Sequence, residues 1–425
     1  MNTFFISYKN LICLTLLMFA HGVVSQNETA NWYFGDGAGL SFYQGNFNVL
    51  NDGAMVAPAG CSTISDSQGN LLFYTNGESV WNKNHEIMEN GTDLAGDINH
   101  TQSSIIIPKP DDENIYYIFT VRNTSSNPPQ FISGVYYSAV EISDLHPFGR
   151  VLNKNLILTQ TTGEKITAYH DYQTQTTKVI CLGASSSQTG STYNTFYIYD
   201  VSEAGVNHTP TISVQEEVEI SSVGAMKISP NGEYIAVVDY EGRTIPLFEF
   251  NFQNTTLNYL TFINPDLFGV PTNPYGIEFS PNSSIIYFTG KCPPVSYLYK
   301  YIINNTSLIN DKIEIATSTS YDFGSLQLAS DGKIYMANYL QNQPIESLNR
   351  ISVINNPNDT IDNDFELLSI HLGSDSSFKG LPNFVQSYFE NQIITENKCV
   401  DNIFSFSVNA YATVDAVFWE FGDGT

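Results

Sequence analysis

Short runs in which apolar and polar residues alternate recur along the chain, separated by clusters of Gly, Pro, Asn and Asp. Alternation with period two is the mark of a half-buried strand. Three blocks show it most clearly. Gly224-Ala-Met-Lys-Ile-Ser-Pro-Asn-Gly-Glu leads into Tyr234-Ile-Ala-Val-Val, and Tyr275-Gly-Ile-Glu-Phe-Ser-Pro-Asn-Ser-Ser leads into Ile285-Ile-Tyr-Phe-Thr. Gly324-Ser-Leu-Gln-Leu-Ala-Ser-Asp-Gly-Lys leads into Ile334-Tyr-Met-Ala-Asn. Aligned on Asn231, Asn282 and Asp331, the blocks are 51 and 49 residues apart. Each predicts a strand, a tight turn and a second strand, because Pro fixes φ and Asn-Gly or Asp-Gly supplies the positive-φ positions such turns need. Two more alternating stretches follow each block: Ile245–Asn251 and Leu257–Phe262, Tyr297–Ile302 and Ile313–Ala316, Ile351–Ile354 and Phe365–Ile370. Four short antiparallel strands per period of about 50 residues describe a β-propeller blade.

Weaker copies lie upstream. Cys61-Ser-Thr-Ile-Ser leads into Leu71-Leu-Phe-Tyr, Ser104-Ile-Ile-Ile into Ile115-Tyr-Tyr-Ile-Phe, and Lys165-Ile-Thr-Ala-Tyr into Lys178-Val-Ile-Cys-Leu. That makes six blades. Gly380-Leu-Pro-Asn-Phe-Val-Gln reads as the opening strand of another, and the N-terminal part offers strands at 31–34, 40–43 and 47–50 with no opening strand of their own. Joining them in one blade closes the ring and removes exposed sheet edges. Seven blades are therefore expected, with six as the alternative. Outside the N-terminus no long stretch has helical periodicity, so the class is all-β.

Composition agrees. Tyr (26) and Phe (27) supply nearly all of a 13% aromatic content, and charged residues make up only 14%, which favours pleated, half-buried surfaces. Acidic residues number 43 against 17 basic, a formal charge of -26. Such a surface repels phosphate backbones and anionic lipid, which excludes nucleic acid as a partner and a polybasic membrane contact. Lys9 followed by the apolar run Leu11–Ala20 and the small-residue ending Val23-Val24-Ser25 reads as an export signal with cleavage before Gln26. No later apolar stretch is long enough to span a bilayer, so no membrane insertion is expected. The chain thus divides into a signal peptide at 1–25, a propeller at 26–390 and a further segment at 391–425. Cys61, Cys181, Cys292 and Cys399 are widely spaced and read as unpaired thiols.

The last segment changes pattern. Cys399-Val-Asp-Asn-Ile-Phe-Ser-Phe-Ser-Val alternates like a strand, and the chain ends at Phe418-Trp-Glu-Phe-Gly-Asp-Gly-Thr425. Trp-x-Phe-Gly-Asp-Gly resembles the hallmark of PKD domains, an immunoglobulin-like β-sandwich. Asp423 in its turn reads as structural. With Trp32–Leu40 and Gly60–Trp81 followed by Asn82–His85, the whole chain resembles exported Bacteroidota proteins in which a signal peptide, a propeller-like region and PKD domains precede a type IX sorting domain. That resemblance implies delivery to the cell surface or medium and a role in adhesion, or in glycan or protein binding. Only about 35 residues of the sandwich are present, so 391–425 is expected to be the N-terminal fragment of a PKD domain.

Catalytic motifs are scarce. There is no G-x-S-x-G elbow. Ser65-Asp66-Ser67-Gln68-Gly69 lacks the spacing of a sialidase box, and the Arg residues (122, 150, 243, 350) are scattered. His85-Glu86 lacks the second His of a zinc site. Asn358-Asp-Thr-Ile-Asp-Asn-Asp364 clusters oxygen ligands without the Gly and Glu of an EF-hand, and a solvated inter-strand loop is expected there. Asn-x-Ser/Thr triplets at 27, 90, 99, 123, 207, 254, 282, 304, 305 and 358 are read as the product of an Asn-rich composition. No catalytic residue, metal ligand or cofactor is assigned. The expected function is binding or adhesion, with propeller loops contacting an extracellular glycan or protein. The alternative is a carbohydrate-active enzyme using carboxylates in the central channel.

Overall fold

The computed structural model describes residues 24–25, 27–43, 47–123, 131–160, 162–184, 192–266, 271–303, 312–340, 346–390, 392–396 and 405–410. Seven antiparallel sheets follow one another along the chain, and the fold is an all-β, seven-bladed propeller. Blade 1 contains Ser62–Ser65, Leu71–Thr75 and Val80–Asn82. Blade 2 contains Ser104–Pro108, Ile115–Arg122 and Gly134–Ser143, with an outer strand in two pieces, His146–Val151 and Leu156–Gln160. Blade 3 is built from Thr162–Asp171, Thr176–Gly183 and Thr195–Ser202, edged by Thr211–Val214. Blade 4 has Met226–Ile228, Tyr234–Val237, Ile245–Asn251 and Thr256–Ile263. Blade 5 has Asn273–Phe279, Ile285–Cys292, Val295–Ile302 and Ile313–Ser318. Blade 6 has Asp322–Leu328, Ile334–Leu340, Arg350–Ile354 and Phe365–His371.

The repeat has a common local cause. After the first strand of blades 1 to 6, an Asp or Asn accepts the backbone N–H two residues on: Asp66 from Gln68, Asp112 from Asn114, Asp171 from Gln173, Asn231 from Glu233, Asn282 from Ser284 and Asp331 from Lys333. These Asx turns close each hairpin without help from the rest of the fold. Gly232 and Gly332 take the positive φ expected of them, at 74° and 76°.

Both ends of the propeller build blade 7. Asn31–Asp36, Ala38–Ser41 and Asn48–Leu50 form its outer part, and residues 376–384 lie inside them. Asp36 bridges Ser376, and Cys61 of the next blade bridges Pro382. On the other side the Ser325 N–H donates to Lys379 O at 2.8 Å. Trp32, fully buried, packs its ring against Phe42, Tyr335 and Phe384 and so ties the two ends to blade 6. Backbones crowd here: a Cβ on Gly380 would lie 1.8 Å from Ala59 O, and one on Gly324 would lie 2.4 Å from Lys379 O. Only glycine fits such an approach, which explains why several blocks open with one.

Beyond the ring, Gln392–Glu396 pairs antiparallel with Ser405–Ala410, and Val24–Ser25 adds to the latter in parallel. The rest of the expected signal peptide, Cys399 and the Trp419–Gly424 motif lie outside the described residues. Among the described residues, no helix is long and apolar enough to cross a membrane.

Candidate functional site

Blades 4, 5 and 6 place Lys227, Glu278 and Gln327 at the same position of their first strands, and the three side chains meet inside the ring. Lys227 Nζ lies 3.1 Å from Glu278 Oε2 and donates to Gln327 Oε1 at 2.5 Å. Glu278 also accepts the Phe279 N–H at 2.9 Å and the Leu328 N–H at 3.2 Å. Gln386, in the turn Gln386–Phe389, completes the group. With its amide assigned from the surrounding donors and acceptors, its oxygen accepts from Lys227 at 3.1 Å and its nitrogen donates to Glu278 at 3.3 Å. None of the four is more than 3% exposed. Burial pulls the Lys227 ammonium down and pushes the Glu278 carboxyl up, and the charge of each partner opposes the shift. The expectation that an enzyme would use channel carboxylates fails at Glu278, because a chain segment covers it and its oxygens are engaged. The polar groups beside it act as stitching: Gln102 bonds both backbone groups of Met226, and Asn383 donates to Ile166 O at 3.1 Å.

An open concavity lies elsewhere. A cleft of about 910 Å³ lies between the turns of blades 1 and 2 and the stretch that leads into blade 7. Its carboxylates are Glu28, Asp66, Asp111, Asp112, Glu113 and Asp144, against two ammonium groups, Lys83 and Lys109. Several are spoken for. Asp66 Oδ1 closes its own turn through the Gln68 and Asn70 N–H groups, and Asp112 Oδ2 holds Lys109 at 3.0 Å. Tyr116 is the one aromatic residue of the wall; it is buried, and its hydroxyl donates to Glu113 O at 3.0 Å.

Glu28 differs from the rest. Its carbonyl accepts the Ser65 N–H at 2.9 Å, which pins its backbone to blade 1. Its Oε2 is shielded from water and has no partner elsewhere among the described residues, and its own backbone N–H bonds the carboxylate. Desolvation pushes its pKa up to about 7, and the neighbouring Asp66 charge adds to the rise. A carboxyl held near neutrality in a cleft is a candidate functional group.

The residues singled out in the sequence take structural roles. In the 358–364 loop, Asn358 Oδ1 accepts the Asn282 N–H, and Lys300 Nζ donates to Thr360 O at 2.6 Å and Asn363 Oδ1 at 2.7 Å. The oxygens gathered there therefore serve an internal ammonium and the neighbouring blade. His85 sits between Tyr74 Oη at 3.1 Å and Asp52 Oδ2 at 3.4 Å. Cys61 and Cys181 are buried free thiols, and Cys292 is a half-buried one. Ser65 to Gln68, set aside for their spacing, line the cleft. Glu28 escaped notice because it has no counterpart in the repeat; its one sequence signal is an acidic residue just before the first strand of blade 7.

No protein-family model matches the chain, and the curated proteins contain no match. Among solved structures it is similar to a candidate 6-phosphogluconolactonase from Bacteroides uniformis, at 14% identity over 72% of this chain and 80% of that one, with a TM-score of 0.40. It is similar to the periplasmic gluconolactonase PpgL of Pseudomonas aeruginosa, at 12% identity over 73% and 96%, TM-score 0.39. It is also similar to the β-propeller domain of Cps50 (Swd1) from Myceliophteria thermophila, at 10% identity over 73% and 93%, TM-score 0.44.

Proposed function

We propose that the protein is an exported binding or adhesion protein that holds an extracellular glycan or polypeptide in the cleft between blades 1 and 2. The observation that carries the reading is the cleft itself: a large open concavity walled by turns and the adjoining strand ends, with a lining rich in hydrogen-bonding groups. Its volume lies within the range of ligand sites, and loops set on a rigid ring are where binding residues collect. The export signal at 1–25 and a PKD-type domain beginning near 391 belong to the same proposal, with the propeller displayed at the cell surface or released. The test is a binding screen of the purified protein against immobilised glycans and polypeptides, with Asp144→Asn and Glu113→Gln as cleft variants. Retention that both variants weaken supports the reading, and retention indifferent to both refutes it.

One observation favours a second reading, a carbohydrate-active enzyme. Glu28 keeps its proton towards neutral pH with the Asp66 carboxyl nearby, and two carboxyl groups in unlike environments are the means by which glycosidases divide acid and base roles. Release of reducing sugar from a panel of oligosaccharides, abolished by Glu28→Gln, would establish that reading in place of the first.

A further inference from the structure

We propose that the end of the ring where the first strands begin is a second binding site, for a small zwitterion of the α-amino-acid type, with Lys379 receiving its carboxylate and Glu164 its ammonium group. The inference is independent of the cleft between blades 1 and 2. Gly224, Tyr275 and Gly324 stand three positions ahead of Lys227, Glu278 and Gln327, and so form a level nearer the strand starts than the axial group. Backbone contacts make this level a collar. The Ala225 N–H donates to Tyr275 O at 3.1 Å, the Ser325 N–H to Lys379 O at 2.8 Å, and the Gly60 N–H to His100 O at 2.8 Å. Thr101 sits within the collar and donates to Glu164 Oε2 from its N–H at 3.0 Å and from its hydroxyl at 3.1 Å. Its Oγ1 accepts the Gly224 N–H at 3.2 Å.

Lys379 stands apart from the other lysines of the fold. Among the described residues, burial draws down the ammonium groups of Lys165, Lys227, Lys300, Lys312 and Lys379. Lys165 donates to the carbonyls of Ser221, Ser222 and Val223, and Lys312 to those of Asn264 and Asp266. Lys227 and Lys300 are held by the partners described above. Lys379 alone of the five has no hydrogen bond or ion pair among the described residues, and it is half-buried, so solvent and ligand can reach it. Its Nζ lies 5.8 Å from the centre of the Tyr275 ring, a contact that replaces only part of what desolvation removes. Glu164 and Asp97 are within electrostatic reach but form no ion pair with it. Asp97 is turned to its own loop, where it accepts the Asn99 N–H at 3.0 Å and lies 3.8 Å from His100. Glu164 Oε1 makes no hydrogen bond among the described residues, since both Thr101 donors go to Oε2. An anion alone would answer Lys379 and be opposed by Glu164 and Asp97, and a cation alone would be opposed by Lys379. A ligand whose two charges are separated by one carbon atom answers both sides with charge-assisted hydrogen bonds. Tyr240, Tyr275 and Tyr339 lie within electrostatic reach of one another on the same side, so the ligand side chain is apolar or aromatic.

The experiment is equilibrium dialysis of the full chain against radiolabelled L-phenylalanine and L-leucine at pH 7, with N-acetyl-L-phenylalanine and L-phenylalanine amide as unlabelled competitors. At least one free amino acid should bind, and each blocked form, which lacks one of the two charges, should compete about tenfold or more weakly than unlabelled L-phenylalanine. Lys379→Met and Glu164→Gln should each weaken binding by a similar factor, while Glu217→Gln, on the exposed chain between blades 3 and 4, leaves it unchanged. The thermal midpoint of each variant is read alongside, and the blocked forms test the wild type directly if a variant fails to fold. Competition by N-acetyl-L-phenylalanine as strong as by the free amino acid would show a plain anion site and overturn the inference, and equal competition by the amide would overturn it as a plain cation site. Binding that Asp144→Asn weakens and Lys379→Met does not would place the amino acid in the cleft, which overturns the inference and keeps the cleft as a binding site. Absence of binding by both amino acids overturns the inference and leaves the cleft to the immobilised-ligand screen.

Discussion

Replacing Lys227 by Met tests the view that the axis is a sealed ionic joint. The thioether chain matches the lysine stem in length, so little cavity opens, and the change is electrostatic. Glu278 is fully buried, and the variant leaves it two backbone donors and the Gln386 amide but no cation. Removing one partner of a buried pair costs about 3–5 kcal/mol, against about 1.5–3 kcal/mol for losing a hydrogen bond to a charged group. The loss must also depend on pH. Without Lys227 the carboxyl keeps its proton in the folded chain, whereas the unfolded chain releases it above the ordinary carboxylate range. The folded state then binds more protons, so stability falls with rising pH, by up to about 1.4 kcal/mol per unit. Urea unfolding followed by tryptophan fluorescence at pH 5 and pH 8 reads both effects, with Trp32 as a fully buried reporter. The variant should lose most of its stability at pH 8 and less at pH 5. Lys227→Met combined with Glu278→Gln should recover much of the loss at pH 8, because no charge is left unpaired. A loss below about 1 kcal/mol, or the same loss at both pH values, would refute the ionic joint.

Three further outcomes follow from single residues. Glu28 has a folded pKa raised to about 7 from 4.5, so its contribution to stability declines as pH rises between those values; Glu28→Gln should flatten that decline and gain up to about 3 kcal/mol at pH 8, read as a shift in the urea midpoint. Gly380→Ala puts a methyl group 1.8 Å from Ala59 O and should destabilise the ring by about 3 kcal/mol or more, seen as a lowered thermal midpoint and faster proteolysis. Cys292 should react with a maleimide in the native protein, and Cys61 and Cys181 only after unfolding, because burial raises both thiols; peptide mass mapping distinguishes the sites.

The ring was legible because its signals are local. Asn231, Asn282 and Asp331 set the period as residues that bond their own backbone two positions on, and that chemistry is the same in the chain as in the fold. The closure was legible by subtraction, since strands at the N-terminus lacked an opening partner and Gly380–Gln386 lacked followers. The axial group was written in the same blocks, as Met-Lys-Ile, Ile-Glu-Phe and Leu-Gln-Leu. A polar residue between two apolar ones reads as solvent-facing in any half-buried strand. Only the ring turns that face inward, and nothing within one repeat can report it. The cleft was less legible still, because Glu28, Asp66 and Tyr116 come from three separated stretches, and the carboxyl shift of Glu28 arises first from desolvation and then from the Asp66 charge.

That convergence ties the candidate site to the closure. Residues 376–384 complete blade 7, Gln386 caps the axial pair, and the buried Tyr388, two residues on, is within electrostatic reach of Glu28. Glu28 in turn precedes the first outer strand of the same blade and is bonded through its carbonyl to blade 1. One short segment of chain thus shuts the ring and bonds both members of the Lys227–Glu278 pair. A propeller of the same six internal repeats closed by another route would keep its turns and its blades. It would lose Gln386 from the axial group, and with it one hydrogen bond to each member of the Lys227–Glu278 pair.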